Sequence, residues 1–289
     1  MTQAPHIQAP VIDLGVWPDF EQRHVSGAAG VLSVRIAGPA TAPAVLMNHS
    51  ILTSSAIWRR QATLLVTRGF RVICLDTRGH GSSPGSPAPY AMDDLVGDNV
   101  VVLDTLGIGR AHFVGVSQGG MTGFGLGARH PERLESLCVV AARADAPAPF
   151  AAAWDERIAL VLAQGVRALA QPTAERWFGQ PFLDSNPLVA RTLLACIGQT
   201  TAEGFVGCAR AIQALDYLGE LHRIDVRTSL LIGSRDEALL QPMREIAPLM
   251  PNATFEIIAD AGHLPQLDQP DAVDAALLRH LAADKRKAA

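Results

Sequence analysis

A chain of 289 residues, 48% apolar with a mean hydropathy of +0.18, has room for one large α/β domain with a substantial core, with or without an insertion. A formal charge of −4, a pI near 6.1 and no basic stripe give nucleic-acid binding no footing, and the one charge run, Asp284-Lys285-Arg286-Lys287, reads as a solvated tail. Four scattered cysteines (Cys74, Cys138, Cys196, Cys208) argue against a disulfide framework, and the sequence has no CxxC or HExxH spacing to suggest a metal site.

Residues 1–23 read as an extension that lies over the core or is partly disordered. Residues 1–20 have neither a basic start nor an apolar segment, and Pro5 and Pro10 interrupt them, so they are not read as a signal peptide. With no run of about 18 apolar residues, the expectation is a soluble, cytoplasmic protein.

Residues 31–36 alternate apolar and polar and predict an outer antiparallel strand. Ala44–Asn48 is a continuous apolar run, the pattern of a strand covered on both faces. It leads into a polar loop, 49–55, and a helix over 56–68. Arg71–Asp76 is the next buried strand, ending in the turn-rich stretch 76–83, and a helix follows over 93–106. Ala111–Val116 is a strand running into Gly115-Val116-Ser117-Gln118-Gly119 and a small-residue helix that reaches His130. Leu134–Val140 is a further strand. The alternation then stops: 152–170, 173–179, 186–198 and 202–218 read as helices with no strand between them. It resumes with a strand over 228–233, a helix over 241–250, a strand over 254–258 and a last helix over 271–283. Strands alternating with helices predict a parallel sheet with right-handed crossovers. The helical block 145–224 predicts a lid over the edge of the sheet where ligands bind, leaving 24–144 and 225–289 as the core.

Gly-x-Ser-x-Gly between a strand and a helix is the pattern of a serine held on a tight turn. The flanking glycines keep side chains out of so sharp a bend. The free amides and dipole of the helix N-terminus favour negative charge beside the hydroxyl. A serine hydroxyl becomes a nucleophile when a base takes its proton, and that base must be held in one tautomer by a carboxylate. His263, in Ala261-Gly262-His263 after the last strand, is the candidate base. Asp236, in Gly233-Ser234-Arg235-Asp236 after the strand 228–233, is the candidate acid. The order serine, aspartate, histidine is the one such a serine turn is expected to have. Asp236 as a helix N-cap, Asp145 as the acid and Asp260 as a nearer carboxylate are the alternatives. Two backbone N–H groups are needed to hold an oxyanion: Gln118, next to the serine, supplies one, and the loop after Ala44–Asn48 the other, from Ile51 in preference to Ser50. His49 reads as a loop former, with a second base as the alternative, and His80 reads as a loop former.

The runs Asp76-Thr77-Arg78-Gly79-His80-Gly81-Ser82-Ser83, Gly115 to Gly119, His130-Pro131-Glu132-Arg133-Leu134 and Ala261-Gly262-His263 together resemble the α/β-hydrolase superfamily across residues 25–283. The resemblance implies an α/β-hydrolase fold, a mostly parallel eight-stranded sheet flanked by helices with a helical cap insertion. Within the superfamily the chain looks most like the 3-oxoadipate enol-lactone hydrolases. The likeness rests on Asn48-His49-Ser50-Ile51 with Trp58, on 111–117, and on the cap pieces Trp154-Asp155-Glu156-Arg157, Glu175-Arg176-Trp177-Phe178 and Gly207-Cys208-Ala209-Arg210-Ala211-Ile212. Members open an enol-lactone with a Ser-His-Asp triad and no cofactor. That implies Ser117, Asp236 and His263 as the triad, no cofactor or metal, and a small lactone or ester substrate, in a monomer or homodimer. Ser50, Trp58 and Trp154 follow as substrate contacts. A carboxylated substrate would want a cation, for which Arg143 and Arg157 are candidates. The family's Asn-Ser-Leu-Gly loop reads His49-Ser50-Ile51-Leu52 here, and the lost glycine predicts an altered loop backbone; Gln118 stands where methionine is common. A general carboxylesterase, a C–C hydrolase of vinylogous diketones and a non-catalytic ligand receptor are the rival readings. Serine rather than aspartate at the turn argues against haloalkane dehalogenase or epoxide hydrolase chemistry.

Overall fold

The computed structural model describes Trp17 and residues 19–282. Eight strands form one sheet: β1 (Glu21–Gly27), β2 (Gly30–Ala37), β3 (Ala44–Asn48), β4 (Arg71–Asp76), β5 (Ala111–Val116), β6 (Leu134–Val140), β7 (Thr228–Gly233) and β8 (Ala253–Ile258). Their order is β1-β2-β4-β3-β5-β6-β7-β8. β1 and β2 are antiparallel to each other, as are β2 and β4, and the remaining pairs are parallel. β3, β4 (after Arg71) and β5 are buried residue after residue, which is why their sequences are unbroken apolar runs.

The strand at 31–36 is not the outermost. β1 pairs beyond it, Glu21 opposite Ile36 through Gly27 opposite Gly30. An edge strand needs little apolar surface, and Glu21-Gln22-Arg23-His24 is exposed throughout, so its sequence carries no alternation to read. Of the expected extension, residues 1–16 and Pro18 lie outside the described residues. Trp17 and Phe20 are buried edge to face, ring centroids 4.7 Å apart, with the Arg35 guanidinium over Trp17.

Helices α1 (Arg59–Thr67), α2 (Met92–Thr105) and α3 (Gln118–Arg129) follow β3, β4 and β5 in turn. Between β6 and β7 the chain builds α4 (Ala148–Gln164), α5 (Ala170–Phe178), α6 (Gln180–Ser185), α7 (Pro187–Ile197) and α8 (Ala202–Gln213). The single helix expected over 152–170 is interrupted because Gly165, at φ +80°, closes α4. α9 (Glu237–Ile246) follows β7, and α10 (Pro265–Asp268) and α11 (Pro270–Ala282) follow β8. At the edge of the sheet where the strands begin, His280 of α11 bonds Ser136 through Nε2 and Ser229 through Nδ1, each at 2.8 Å, and Ser136 also meets His112 Nδ1 at 2.8 Å. Burial pushes the His280 pKa down to about 3. Among the described residues, no helix is long and apolar enough to cross a membrane.

Candidate active site

Because β3, β5, β7 and β8 are parallel, the segments leaving them meet at one edge of the sheet. Ser117 occupies the turn from β5 into α3 at φ +56° and ψ −119°, a conformation a non-glycine residue holds at a cost of about 1–3 kcal/mol. Its neighbours have to be glycine. A Cβ on Gly115 would stand 2.3 Å from the Gly119 carbonyl oxygen, and one on Gly119 would stand 2.6 Å from the Asn48 carbonyl oxygen. The Ser117 N–H is tied to the Val140 carbonyl at 2.8 Å, fixing the strained turn to β6.

Ser117 Oγ lies 3.0 Å from His263 Nε2, and His263 Nδ1 lies 2.7 Å from Asp236 Oδ2. The Nδ1–H donates to the carboxylate, which leaves Nε2 with a lone pair facing the serine hydroxyl. Asp236 precedes α9 but makes no side-chain capping bond; its carboxylate turns to His263 instead. Neither alternative acid takes this place. Asp145 pairs with Arg143 at 2.8 Å, and Asp260, at φ +54°, presents its backbone carbonyl to Arg235 and Gln269. The imidazole is held from the helical insertion as well: Trp177 of α5 stacks on it at 5.5 Å, and the Trp177 carbonyl accepts the His263 N–H at 2.9 Å. Asp268, with no exposed side chain, accepts the Gly262 N–H at 2.6 Å and meets Arg235 at 3.3 Å. It thereby links the loop carrying His263 to the one carrying Asp236.

Gln118 opens α3, so its N–H is one of the helix's unpaired donors, and its side chain is drawn aside to Cys208 Sγ at 3.0 Å. Among the described residues neither the Gln118 nor the Ile51 amide has an acceptor. Leu52 holds φ +65°, so the loop keeps a left-handed residue where the resemblance puts a glycine; a leucine carries the strain. The Gly119 N–H donates to the His49 carbonyl at 3.1 Å and pins this loop against α3.

His49 and His80 are both buried in the frame, His49 bonded through both ring nitrogens and His80 through Nδ1 alone. His49 donates from Nδ1 to the Ser50 carbonyl at 2.8 Å and accepts the Thr77 N–H on Nε2 at 2.9 Å. Burial lowers its pKa to about 4, and lowers that of His80, which donates to the Arg78 carbonyl, to about 3. Burial acts in the opposite sense on Asp268, raising its pKa to about 6.

These shifts fix the sign of the acid response. His49, His80 and His280 stay neutral in the fold but take protons in the unfolded chain below about pH 6.5. Their stability contribution is therefore present above that pH and lost as pH falls toward about 4 and 3. Asp268 contributes below about pH 4 and loses that contribution as pH rises through about 6. Near pH 5 the three histidines outweigh the one aspartate, so among these four groups unfolding takes up protons. Denaturant unfolding measured from pH 7 to 4 is expected to show stability falling as the pH falls. Stability flat or rising toward pH 5 would contradict it.

Ser117 and His263 open onto a cavity of about 160 Å³ walled by Ile51, Leu52, Met121, Phe150, Trp154, Arg157, Arg176, Trp177, Asp236, Ala238 and Leu239. Of the expected substrate contacts, Trp154 and the cation Arg157 stand on this wall, and Ser50, Trp58 and Arg143 do not. Trp58 is fully buried and donates its indole N–H to the Asn48 carbonyl at 2.8 Å, bracing the start of the loop from beneath. Ser50 is buried in the same loop, its carbonyl accepting from Thr53 Oγ1. Arg143 is neutralised by Asp145 and covered by the Phe150 ring at 4.5 Å. The residues missed from sequence are Arg176, Trp177 and Asp268. The run Glu175-Arg176-Trp177-Phe178 marked the first two as a conspicuous piece of the insertion, without showing where they point.

A family model described as the alpha/beta hydrolase fold matches residues 43–270. The 3-oxoadipate enol-lactonase 2 of Acinetobacter baylyi is 33% identical over 241 residues, 83% of this chain and 89% of that one. A Caulobacter segnis protein named as a candidate carbamate hydrolase, RutD, is 30% identical over 244 residues, 82% of this chain and 90% of that one. The crystal structure of the enol-lactonase from Burkholderia xenovorans matches with a TM-score of 0.85 at 30% identity, over 90% of this chain and all of that one.

Proposed function

The chain belongs to the α/β hydrolase family, and from that premise we propose that it is a serine hydrolase of a small lactone or ester, with an enol-lactone of the 3-oxoadipate type as the substrate it is closest to. The observation that carries the reading is the unbroken hydrogen-bond chain from Ser117 through His263 to Asp236 on a strained turn beneath a small cavity. The enol-lactone is suggested by the relatives from Acinetobacter baylyi and Burkholderia xenovorans.

The chemistry is acyl transfer. Ser117 Oγ bonds to the lactone carbonyl carbon as its proton passes to His263 Nε2 and the carbonyl π pair moves to oxygen. The Gln118 and Ile51 N–H groups hold that oxyanion, and Asp236 stabilises the imidazolium. When the oxyanion collapses, the ring C–O bond breaks and the departing enolate oxygen takes the proton from His263. An enolate that can ketonise is an easy leaving group. Water then gives a proton to His263, its oxygen attacks the acyl carbon, and the free acid leaves as the proton returns to Ser117.

The test is turnover against an enol-lactone, a saturated lactone, p-nitrophenyl acetate and butyrate, a carbamate and a vinylogous diketone. The expected result is kcat/KM highest on the enol-lactone. Preference for the carbamate or the diketone would overturn the substrate class and keep the triad. No turnover on any of them would overturn the hydrolase reading.

A further inference from the structure

Asp268 is the last residue of α10, its side chain wholly out of solvent and off the wall of the cavity above Ser117. Its Oδ2 receives two donors, the Gly262 N–H at 2.6 Å and Arg235 Nη2 at 3.3 Å. Each donor belongs to the residue immediately before a member of the triad, Gly262 before His263 and Arg235 before Asp236. One carboxylate oxygen thus ties the base to its acid, a single residue upstream of both.

The remaining contacts between these two segments run through backbone carbonyls. The Arg235 N–H donates to the Ala261 carbonyl at 2.8 Å, and Arg235 Nη2 donates to the Asp260 carbonyl at 2.8 Å. A Cβ on Gly233 would stand 2.1 Å from the Gly262 carbonyl oxygen, so the segments have no slack between them. From the insertion, the Trp177 carbonyl takes the His263 N–H at 2.9 Å. Two consecutive amides, those of Gly262 and His263, are anchored in this way, and the first is anchored by a charge.

A charge is a costly anchor in a buried place. Burial raises the Asp268 pKa to about 6, while the Gly262 N–H and the field of Arg235 pull it back down. Arg235 is the charged side chain that faces it. The other charges nearby are engaged elsewhere, Asp236 with His263, and Asp271 and Asp274 with Arg60. The ionised form therefore weighs against the fold at neutral pH, where a neutral acceptor of the same shape would not. What the charge adds is a shorter, stronger bond to the Gly262 amide and a hold on Arg235. The groups so held are His263 Nδ1 and Asp236 Oδ2, 2.7 Å apart, and a misplacement of about 1 Å in a catalytic site can cost about 100-fold in rate.

We propose that Asp268 is a positioning residue that, as a carboxylate, keeps His263 and Asp236 in register, and that its protonation loosens them. Activity in acid is then lost through two groups, His263 as the base and Asp268 as its anchor. The catalytic consequence rests on the serine-hydrolase reading, and the positioning does not.

Asp268→Asn keeps the shape and one acceptor oxygen and stands in for the protonated side chain. On the best substrate at pH 8 it is expected to lower kcat about 10–100-fold with KM within about threefold, because Asp268 stands off the cavity wall. The fall of kcat/KM toward acid should be steeper in the parent than in the variant, which has one titrating group fewer. Thermal melts distinguish this from a structural role. The parent loses the Asp268 contribution as pH rises through about 6 and asparagine does not titrate, so the variant's melting temperature should gain on the parent's from pH 5 to 8. Proton NMR of the His263 Nδ1–H needs no turnover, and at pH 8 the resonance is expected to shift or broaden in the variant. Failure of Asp268→Asn to fold at pH 8, kcat within about threefold of the parent, a loss confined to KM, or an unchanged Nδ1–H resonance would overturn the assignment. If the parent turns over no substrate, that result bears on the hydrolase reading, and the resonance and the melts decide the positioning.

Discussion

Ser117→Ala is expected to lower kcat on the best substrate by about 10⁶-fold while leaving the fold intact. Alanine keeps the backbone turn and the small size that the site demands, and the 2.7 Å bond from His263 to Asp236 does not depend on the serine hydroxyl. Unfolding stability should accordingly stay within about 0.5 kcal/mol of the parent. The size of the kinetic loss follows from the three groups acting as one device. Without Oγ there is no atom to form the acyl bond, so the base and its carboxylate have nothing to activate, and the amides of Gln118 and Ile51 can only polarise a carbonyl for attack by water. For the same reason His263→Ala should cost nearly as much, and the double variant little more than either alone. Steady-state kinetics on freshly purified protein, with the double variant as background, checks this. Turnover within about tenfold of the parent in Ser117→Ala would remove Ser117 as the nucleophile.

What could be read from the sequence divides along a physical line. Ser117, Asp236 and His263 are far apart in the chain, but each follows a parallel strand: β5 and β7, before the first two, are buried and write apolar runs, while β8, before His263, is a partly exposed edge strand. Parallel order then brings their ends to one edge without any further information. β1 wrote no such run because an exposed edge strand needs none. Side-chain pairing is a different matter. Arg143, Arg157 and Arg176 look equivalent in sequence. They differ because Asp145 lies within reach of the first and no described carboxylate pairs with the other two. The same holds for Trp58 and Trp154, one braced under the loop by the Asn48 carbonyl and the other left on the cavity wall with a free N–H. Leu52 shows the limit from the opposite side. A missing glycine predicts a changed backbone, yet the loop, held by the His49 and Gly119 contacts, keeps φ at +65° and makes leucine adopt it.

Asp236→Asn is the second large effect, a loss in kcat of about 10⁴-fold with little change in stability. The substitution is nearly isosteric, so the loop leaving β7 and the packing of Trp177 on His263 need not move. What changes is which imidazole nitrogen carries the proton. A carboxylate can only accept, so it compels Nδ1 to hold its hydrogen and leaves Nε2 free for Ser117. An amide can present its NH₂ to Nδ1 just as well. The proton then moves to Nε2, 3.0 Å from Ser117 Oγ, where the base must keep an unprotonated lone pair. Even in the correct tautomer, the imidazolium formed on attack would lack its counter-charge. Asp145 cannot step in, because Arg143 holds it at 2.8 Å. Asp145→Asn is therefore expected to cost less than about tenfold, and comparing kcat for the two variants decides between the acids. A large loss in Asp145→Asn with near-parental kcat in Asp236→Asn would reverse the assignment. The predicted order instead ties catalysis to the one carboxylate whose lone pairs reach the imidazole.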